Sequence, residues 1–218
     1  LEMKTYHGKF LKGFLKITYS PMIDLQNICN EEPYLEFKRF YDLAKDQNQN
    51  SIQAICISSF NNKTNQPNSR FVNLKLVKNN EWIFFSNYNS PKAEEFRMNK
   101  KISAIFFWDS INTQIRLKGE IFKTSKSFSD EYFSKRKEEK NILAIVSNQS
   151  KKIESYEDLK QKYRDYKYSQ SETRPNYWGG FSFIPSYFEF WEGHKNRLNK
   201  RKVYEYKKGS WNCYLLEP

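Results

Sequence analysis

The chain has 218 residues, long enough to bury the core of one sizeable domain, and nothing in that length requires a second. Its 37 Lys and Arg outweigh 25 Asp and Glu to give a net charge of +12, yet the lysines are spread over the whole chain and interleaved with glutamate. That distribution argues against a nucleic-acid partner, which needs clustered cations, and suits a pocket for a small phosphorylated ligand instead. Cys29, Cys56 and Cys213 are too few and too scattered for a disulfide framework or a metal site, and fit a reducing cytoplasm. With only His7 and His194 present, a histidine-rich metal site or a Ser-His-Asp triad is hard to assemble. Apolar runs such as Ile105 to Trp108 are far below a membrane span, and no charged-then-apolar segment opens the chain. Leu1-Glu2 ahead of Met3 reads as an expression remnant.

Phe37, Phe40, Tyr41 and Ala44 recur at helical spacing after Pro33 and predict an amphipathic helix over 33–46 that lids a sheet. Strands follow at Ile52 to Ile57, Arg70 to Val77 and Trp82 to Ser86, with a polar turn over Asn61 to Asn68. Ser90 before Pro91 predicts a capped helix to about Asn99 whose N-terminus presents free N–H groups. Ile102 to Trp108 and Thr113 to Phe122 are the next strands. Ser127 with Asp130 suggests a cap for a helix carrying Phe128, Tyr132 and Phe133, and helices are expected over 138–146 and, as a solvated flank, from Ser155 to Tyr166. Phe181 to Trp191, Arg201 to Tyr206 and Trp211 to Leu215 complete the strands, with helices inserted between them. Strands outnumber βαβ alternations, so the pattern predicts a mainly β, mostly antiparallel barrel with flanking helices.

Arg174 to Arg201 gathers Trp178, Gly179, Gly180, Trp191, Arg197 and Arg201 in one strand-turn-strand segment, suited either to an aromatic, anionic ligand or to a Trp-anchored hairpin with a basic turn. On the strand from Arg70, alternation sets Arg70, Val72 and Leu74 on one face and Phe71, Asn73 and Lys75 on the other, a cation for each side of the sheet. Phe85, Ser86 and Lys92 lie around a helix N-terminus, a ready anion site or simply a capped turn. Tyr132 and Arg136, four apart, can share a phosphate, and Lys140 extends the row if the helix continues. Gln149-Ser150 adds two short polar groups. The glycines of a P-loop or a dinucleotide-binding turn are absent.

In order along the chain, these pieces resemble the pyridoxine/pyridoxamine 5'-phosphate oxidases, homodimeric FMN enzymes with an antiparallel split-barrel fold. The resemblance implies an N-terminal arm over 1–32 and an FMN-binding domain over 33–218 that includes the C-terminal dimerisation region. It further implies cofactor contacts at Arg70, Phe71, Val72, Asn73, Leu74, Lys75, Phe85, Ser86, Lys92, Gln114, Gln149, Ser150, Trp191 and Arg201. Lys75, Tyr132 and Arg136 match the family's substrate-phosphate residues, and Arg197 matches the arginine over the substrate ring. Three positions depart from the pattern: Pro91-Lys92 replaces an Arg-Lys pair, Lys140 replaces a substrate-phosphate serine, and Arg197-Leu198-Asn199 replaces Arg-Leu-His. Lysine can offset a lost hydroxyl electrostatically, whereas asparagine cannot titrate near neutrality. The expected activity is oxidation of a phosphorylated vitamin B6 form by O₂, with Arg197 and Asn199 nearest the reacting carbon. A split-barrel flavin oxidase or reductase with another substrate, and a non-catalytic FMN or pyridoxal phosphate binder, are the alternatives.

Overall fold

The structure, a computed structural model, describes residues 22–167 and 173–218, so His7 and most of the expected arm lie outside the described residues. Ten strands form one sheet: β1 (Asp24–Gln26), β2 (Ala54–Asn61), β3 (Gln66–Asn73), β4 (Leu76–Lys78), β5 (Glu81–Asn87), β6 (Lys101–Trp108), β7 (Thr113–Lys123), β8 (Trp178–Glu192), β9 (Lys200–Lys207) and β10 (Ser210–Leu216). Their order is β1-β4-β5-β8-β7-β6-β2-β3, with β9 and β10 branching from β8, and the sheet curls without closing. Every pairing is antiparallel except β1 with β4, which makes this an open, mostly antiparallel barrel, as the sequence pattern predicts. The helices are α1 (Glu32–Asp46), α2 (Pro91–Met98), α3 (Lys126–Ser134), α4 (Glu138–Val146) and α5 (Tyr156–Lys167). None of the described helices is long and apolar enough to cross a membrane.

Two strands escape the sequence pattern. β1 is too short to show a period, and the expected strand from Arg70 to Val77 is in fact β3 and β4, broken where Leu74 N bonds to Gln53 O and Lys75 N to Ile83 O. The polar turn is shorter than predicted, because β2 runs to Asn61 and β3 starts at Gln66, with Pro67 tolerated on an edge strand. The cap of α3 is Ser125, whose Oγ accepts from Phe128 N, and not Ser127. Ser90 occupies its cap position, but its hydroxyl donates back to Asn87 O and caps no amide. At α5 the cap is reciprocal: Ser155 Oγ accepts from Asp158 N while Asp158 accepts from Ser155 N.

Inside the curl, α1 lids the barrel as its spacing predicts, burying Phe37, Phe40, Tyr41 and Ala44 together with Pro33 and Tyr34. Phe37 sits with ring centroids 4.4 Å from Trp82, 5.9 Å from Phe106 and 5.8 Å from Trp108, so one helix side chain seals strands from both halves of the sheet. Gly179 and Gly180 let β8 pass close beneath the helical insert, since a Cβ there would stand 2.2 Å from the Tyr88 hydroxyl and 2.5 Å from Thr124 Oγ1.

Phe37→Ala empties a fully buried aromatic site and is expected to cost about 3–5 kcal/mol, read as a lower denaturant midpoint at unchanged slope. A loss under about 1 kcal/mol would contradict Phe37's place at the centre of the core.

Candidate active site

A cleft of about 960 Å³ opens between β3, β5 and the α3–α4–α5 insert, large enough for more than one small ligand. It is lined by six cations, Arg70, Lys75, Lys92, Arg136, Lys137 and Lys140, and no Asp or Glu is among the lining residues. Arg70 does not face away from Lys75: the break after β3 resets the strand alternation, and both reach the same cleft.

At one end the polar groups converge on Lys92. This buried ammonium donates to Ser86 Oγ at 3.1 Å and Ser90 Oγ at 3.4 Å, which leaves a third proton for a ligand. Burial and the nearby Arg70 push its pKa down to about 8, against the opposing pull of Glu95. Gln149 Oε1 accepts from Asn87 N at 3.2 Å and Ser86 Oγ at 3.4 Å, spending the acceptor and turning the amide hydrogens into the donors on offer. Ser150 beside it holds φ 67, a left-handed conformation uncommon for serine and frequent at binding sites. Arg70 is fixed from below, donating to Ser59 Oγ at 2.6 Å and to the Glu95 carboxylate at 2.9 Å. Glu95 is 2% exposed and also accepts from Asn68. Its spacing three after Lys92 carries no signal of this role, which appears only when α2 packs on β2 and β3.

At the other end, Tyr132 stacks on Phe85 at 3.7 Å, Phe85 on Trp178 at 5.2 Å, and the Arg136 guanidinium covers Trp178 at 4.8 Å. Tyr132, Arg136 and Lys140 do not share one helix row. α3 stops at Ser134 and α4 begins at Glu138, and the corner brings them together, with Arg136 donating to Lys140 O at 2.7 Å and Asn141 Oδ1 at 3.3 Å. Burial and the charges of Lys140 and Arg136 hold the Lys75 ammonium below the ordinary lysine value. Lys137, missed in the sequence, joins this group, and Leu159 of α5 lines the cleft, so α5 is more than a solvated flank.

Leu74 lies in the core rather than on the cleft wall. Gln114, Trp191 and Arg201 are also absent from the lining, and stand in register beside one another across β7, β8 and β9. Arg197, at φ 61, and Asn199 belong to the loop from β8 to β9, where the Asn199 amide oxygen accepts from His194 N at 3.0 Å. The Arg174 to Arg201 segment is therefore not one compact ligand site in the single chain. β8 runs unbroken from Trp178 to Glu192, placing Trp178 in the cleft and Trp191 roughly 40 Å of strand away. Arg174 itself is spent on structure, bound to Asp130 and to Trp178 O.

An open antiparallel barrel with this cation-lined cleft beside its inserted helices has the architecture of the FMN-binding split-barrel proteins. Residues 44–170 match the family profile described as pyridoxamine 5'-phosphate oxidase, and residues 178–218 that of the pyridoxine 5'-phosphate oxidase C-terminal dimerisation region. A pyridoxine/pyridoxamine 5'-phosphate oxidase of Trichormus variabilis is 36% identical over 190 residues, covering 85% of this chain and 88% of its own. Another, of Cytophaga hutchinsonii, is 34% identical over 204 residues, covering 91% and 94%. Among solved structures, PhzG from Burkholderia lata superposes with a TM-score of 0.81 at 22% identity over 86% of this chain and 93% of its own. The chain belongs to the pyridoxine/pyridoxamine 5'-phosphate oxidase family.

Since only the protonated form of Lys92 attracts an anion, affinity for a phosphate monoester should fall by up to about tenfold between pH 7 and pH 9. Calorimetric titration would read this, and Lys92→Met should flatten that part of the slope; an identical slope in the variant assigns the titration elsewhere.

Proposed function

We propose that the protein oxidises pyridoxine 5'-phosphate or pyridoxamine 5'-phosphate to pyridoxal 5'-phosphate, with O₂ as acceptor. It is a flavin oxidoreductase, and its cofactor is FMN. The donor set suits that group: a buried ammonium with one proton left to give, an anchored guanidinium, and hydroxyl and amide donors, with no carboxylate on the wall. When bound, FMN supplies the hydride acceptor and, through O₂, its own reoxidation.

In this reading the chain's residues supply placement and charge. Arg70, Lys92, Ser86, Gln149 and Ser150 hold the cofactor phosphate, with the backbone from Phe71 to Asn73 as a wall. Lys75, Tyr132 and Arg136 clamp the substrate phosphate, and the stacked Phe85 and Trp178 rings fix the clamp's geometry. The observation that carries the proposal is that both groups of anion ligands open into one cleft.

The site is completed by a second copy of the chain. The outer face of the sheet carries Phe71, 74% exposed, and Phe107, 57% exposed, together with the row of Gln114, Trp191 and Arg201. Phe71 also borders the cleft, so this face continues from its rim. In a homodimer formed here, the partner's Gln114, Trp191 and Arg201 reach the cofactor, and the partner's Arg197 and Asn199 reach the substrate ring. The family region matched by residues 178–218 supports this arrangement. Free cysteines throughout fit a cytoplasmic location.

A second reading keeps the flavin and changes the substrate. It is favoured by Lys137 and Lys140, which make the clamp more cationic than one phosphate needs, and by Asn199, which is engaged in closing its own loop.

Purified protein is expected to bind FMN, and Arg70→Ala to weaken that binding tenfold or more through loss of a contact worth roughly 1.5–3 kcal/mol. Anaerobic addition of pyridoxamine 5'-phosphate should bleach the flavin and, with air, yield peroxide, with Asn199→His turning over faster. A flavin-loaded protein inert to both phosphorylated vitamers, with no gain in Asn199→His, would assign another substrate. Phe107→Asp should convert a dimer into a monomer by light scattering; a dimer that persists places the interface elsewhere.

A further inference from the structure

On the outer face of the sheet lies a carboxylate that the mechanism above does not use. Glu189 of β8 is 1% exposed in the single chain, although Tyr187 and Trp191 on the same face are only half-buried. Both of its oxygens are occupied. Oε1 accepts from Arg201 Nε at 2.9 Å and lies 2.7 Å from Arg201 Nη2, a two-point contact that fixes the guanidinium plane. Oε2 accepts from Arg116 Nη1 at 3.0 Å and from the Tyr187 hydroxyl at 2.9 Å. The remaining Arg201 nitrogen, Nη1, donates to Glu217 O at 3.0 Å, so the orientation of Arg201 is determined at three points. Burial pushes the Glu189 carboxyl up, but the hydrogen bonds from Arg201 and Tyr187 and the charges of Arg116 and Arg201 outweigh it, and the group stays ionised.

The charge count matters more than the bonds. Arg201 and Glu189 alone form a neutral pair, whose field on a neighbouring ligand is weak. Arg116, bonded to the other oxygen, brings the three side chains to a net charge of +1. Nothing about Arg116 in the sequence singles it out; it enters only because register places it beside Glu189 across β7 and β8.

We propose that Glu189 and Arg116 are positioning residues for Arg201: Glu189 sets the plane of its guanidinium, and Arg116 restores the positive charge that this pairing would cancel, at the point facing the FMN bound across the subunit boundary. The inference rests on Arg201 as a cofactor contact. A cluster of net charge +1 favours the cofactor more in its anionic, two-electron-reduced form than in its oxidised form.

The test measures dissociation constants of oxidised FMN and of dithionite-reduced FMN, anaerobically, for the native homodimer and for Arg116→Gln and Arg116→Lys. Arg116→Gln should lower the preference for reduced over oxidised FMN roughly threefold or more, as loss of one charge at a partly screened distance requires. Arg116→Lys, which keeps the charge, should restore most of it. The Arg116 side chain is 43% exposed, so the change spares the core. Should Arg116→Gln not fold, Arg116→Met, which keeps the apolar stem, takes its place in the comparison. The same preference in native, neutral and lysine variants overturns the proposal, as does a Lys variant as impaired as the neutral one. A native protein that binds FMN in neither state overturns instead the reading of the cofactor site itself, and the two failures are told apart by that first titration.

Discussion

The molecule is organised around one strand. β8 pairs with β5 over its first residues, with β7 along most of its length, and with β9 over its last, so three parts of the sheet hang from a single run of backbone. Its inward side chains, Phe181, Phe183, Phe188 and Phe190, form much of the core that α1 covers. A register shift against β7 between Lys118 and Gly119 lets so long a strand bend with the barrel. Because the backbone does not break between Trp178 and Glu192, it carries a cleft residue at one end and Glu189 and Trp191 on the outer face at the other. The split of the candidate site into two surfaces follows from this continuity.

Charge is handled differently on the two surfaces. Beneath the cleft, Glu95 holds Arg70 but stays out of the lining, so the ligand meets an excess of cations with no competing acid. Lys75 and Lys92 are held below the ordinary lysine value first by burial and then by the neighbouring cations. A phosphate-bearing ligand relieves the repulsion, and its binding therefore also stabilises the fold. On the outer face, Glu189 lies between two arginines, and the pairing orients them without neutralising them.

The three departures from the family pattern acquire distinct physical meanings. Pro91 opens α2 and stands on the cleft wall, supplying a fixed turn where a cation is expected and leaving Lys92 as the charge on that helix that faces the ligand. Lys140 reaches the cleft from α4, and its position is set by Arg136 bonding to its carbonyl. Asn199 closes the β8–β9 loop by accepting from His194 N, a task independent of any ligand.

The sequence by itself determined the strand and helix types, the buried face of α1 and the mainly β class, and it singled out Arg70, Lys92, Tyr132, Arg136, Gln149 and Ser150 as candidates, which the fold brings to one cleft. These are local properties: a period of two or 3.6, a cap, a pair of polar residues at a turn. It misplaced what depends on where the chain crosses between strands. Lys75 changes sides because β3 ends at Asn73, and Lys140 joins Tyr132 and Arg136 across a helix corner rather than along a helix. Glu95 and the Arg116–Glu189–Arg201 cluster were invisible because each is made by residues far apart in sequence, joined through register or helix packing, and Lys137 because it sits at the corner between α3 and α4 rather than on a helix row. Only the tertiary structure decides such pairings, since the energy of a buried carboxylate lies in the partners that surround it and not in the residues beside it in the chain.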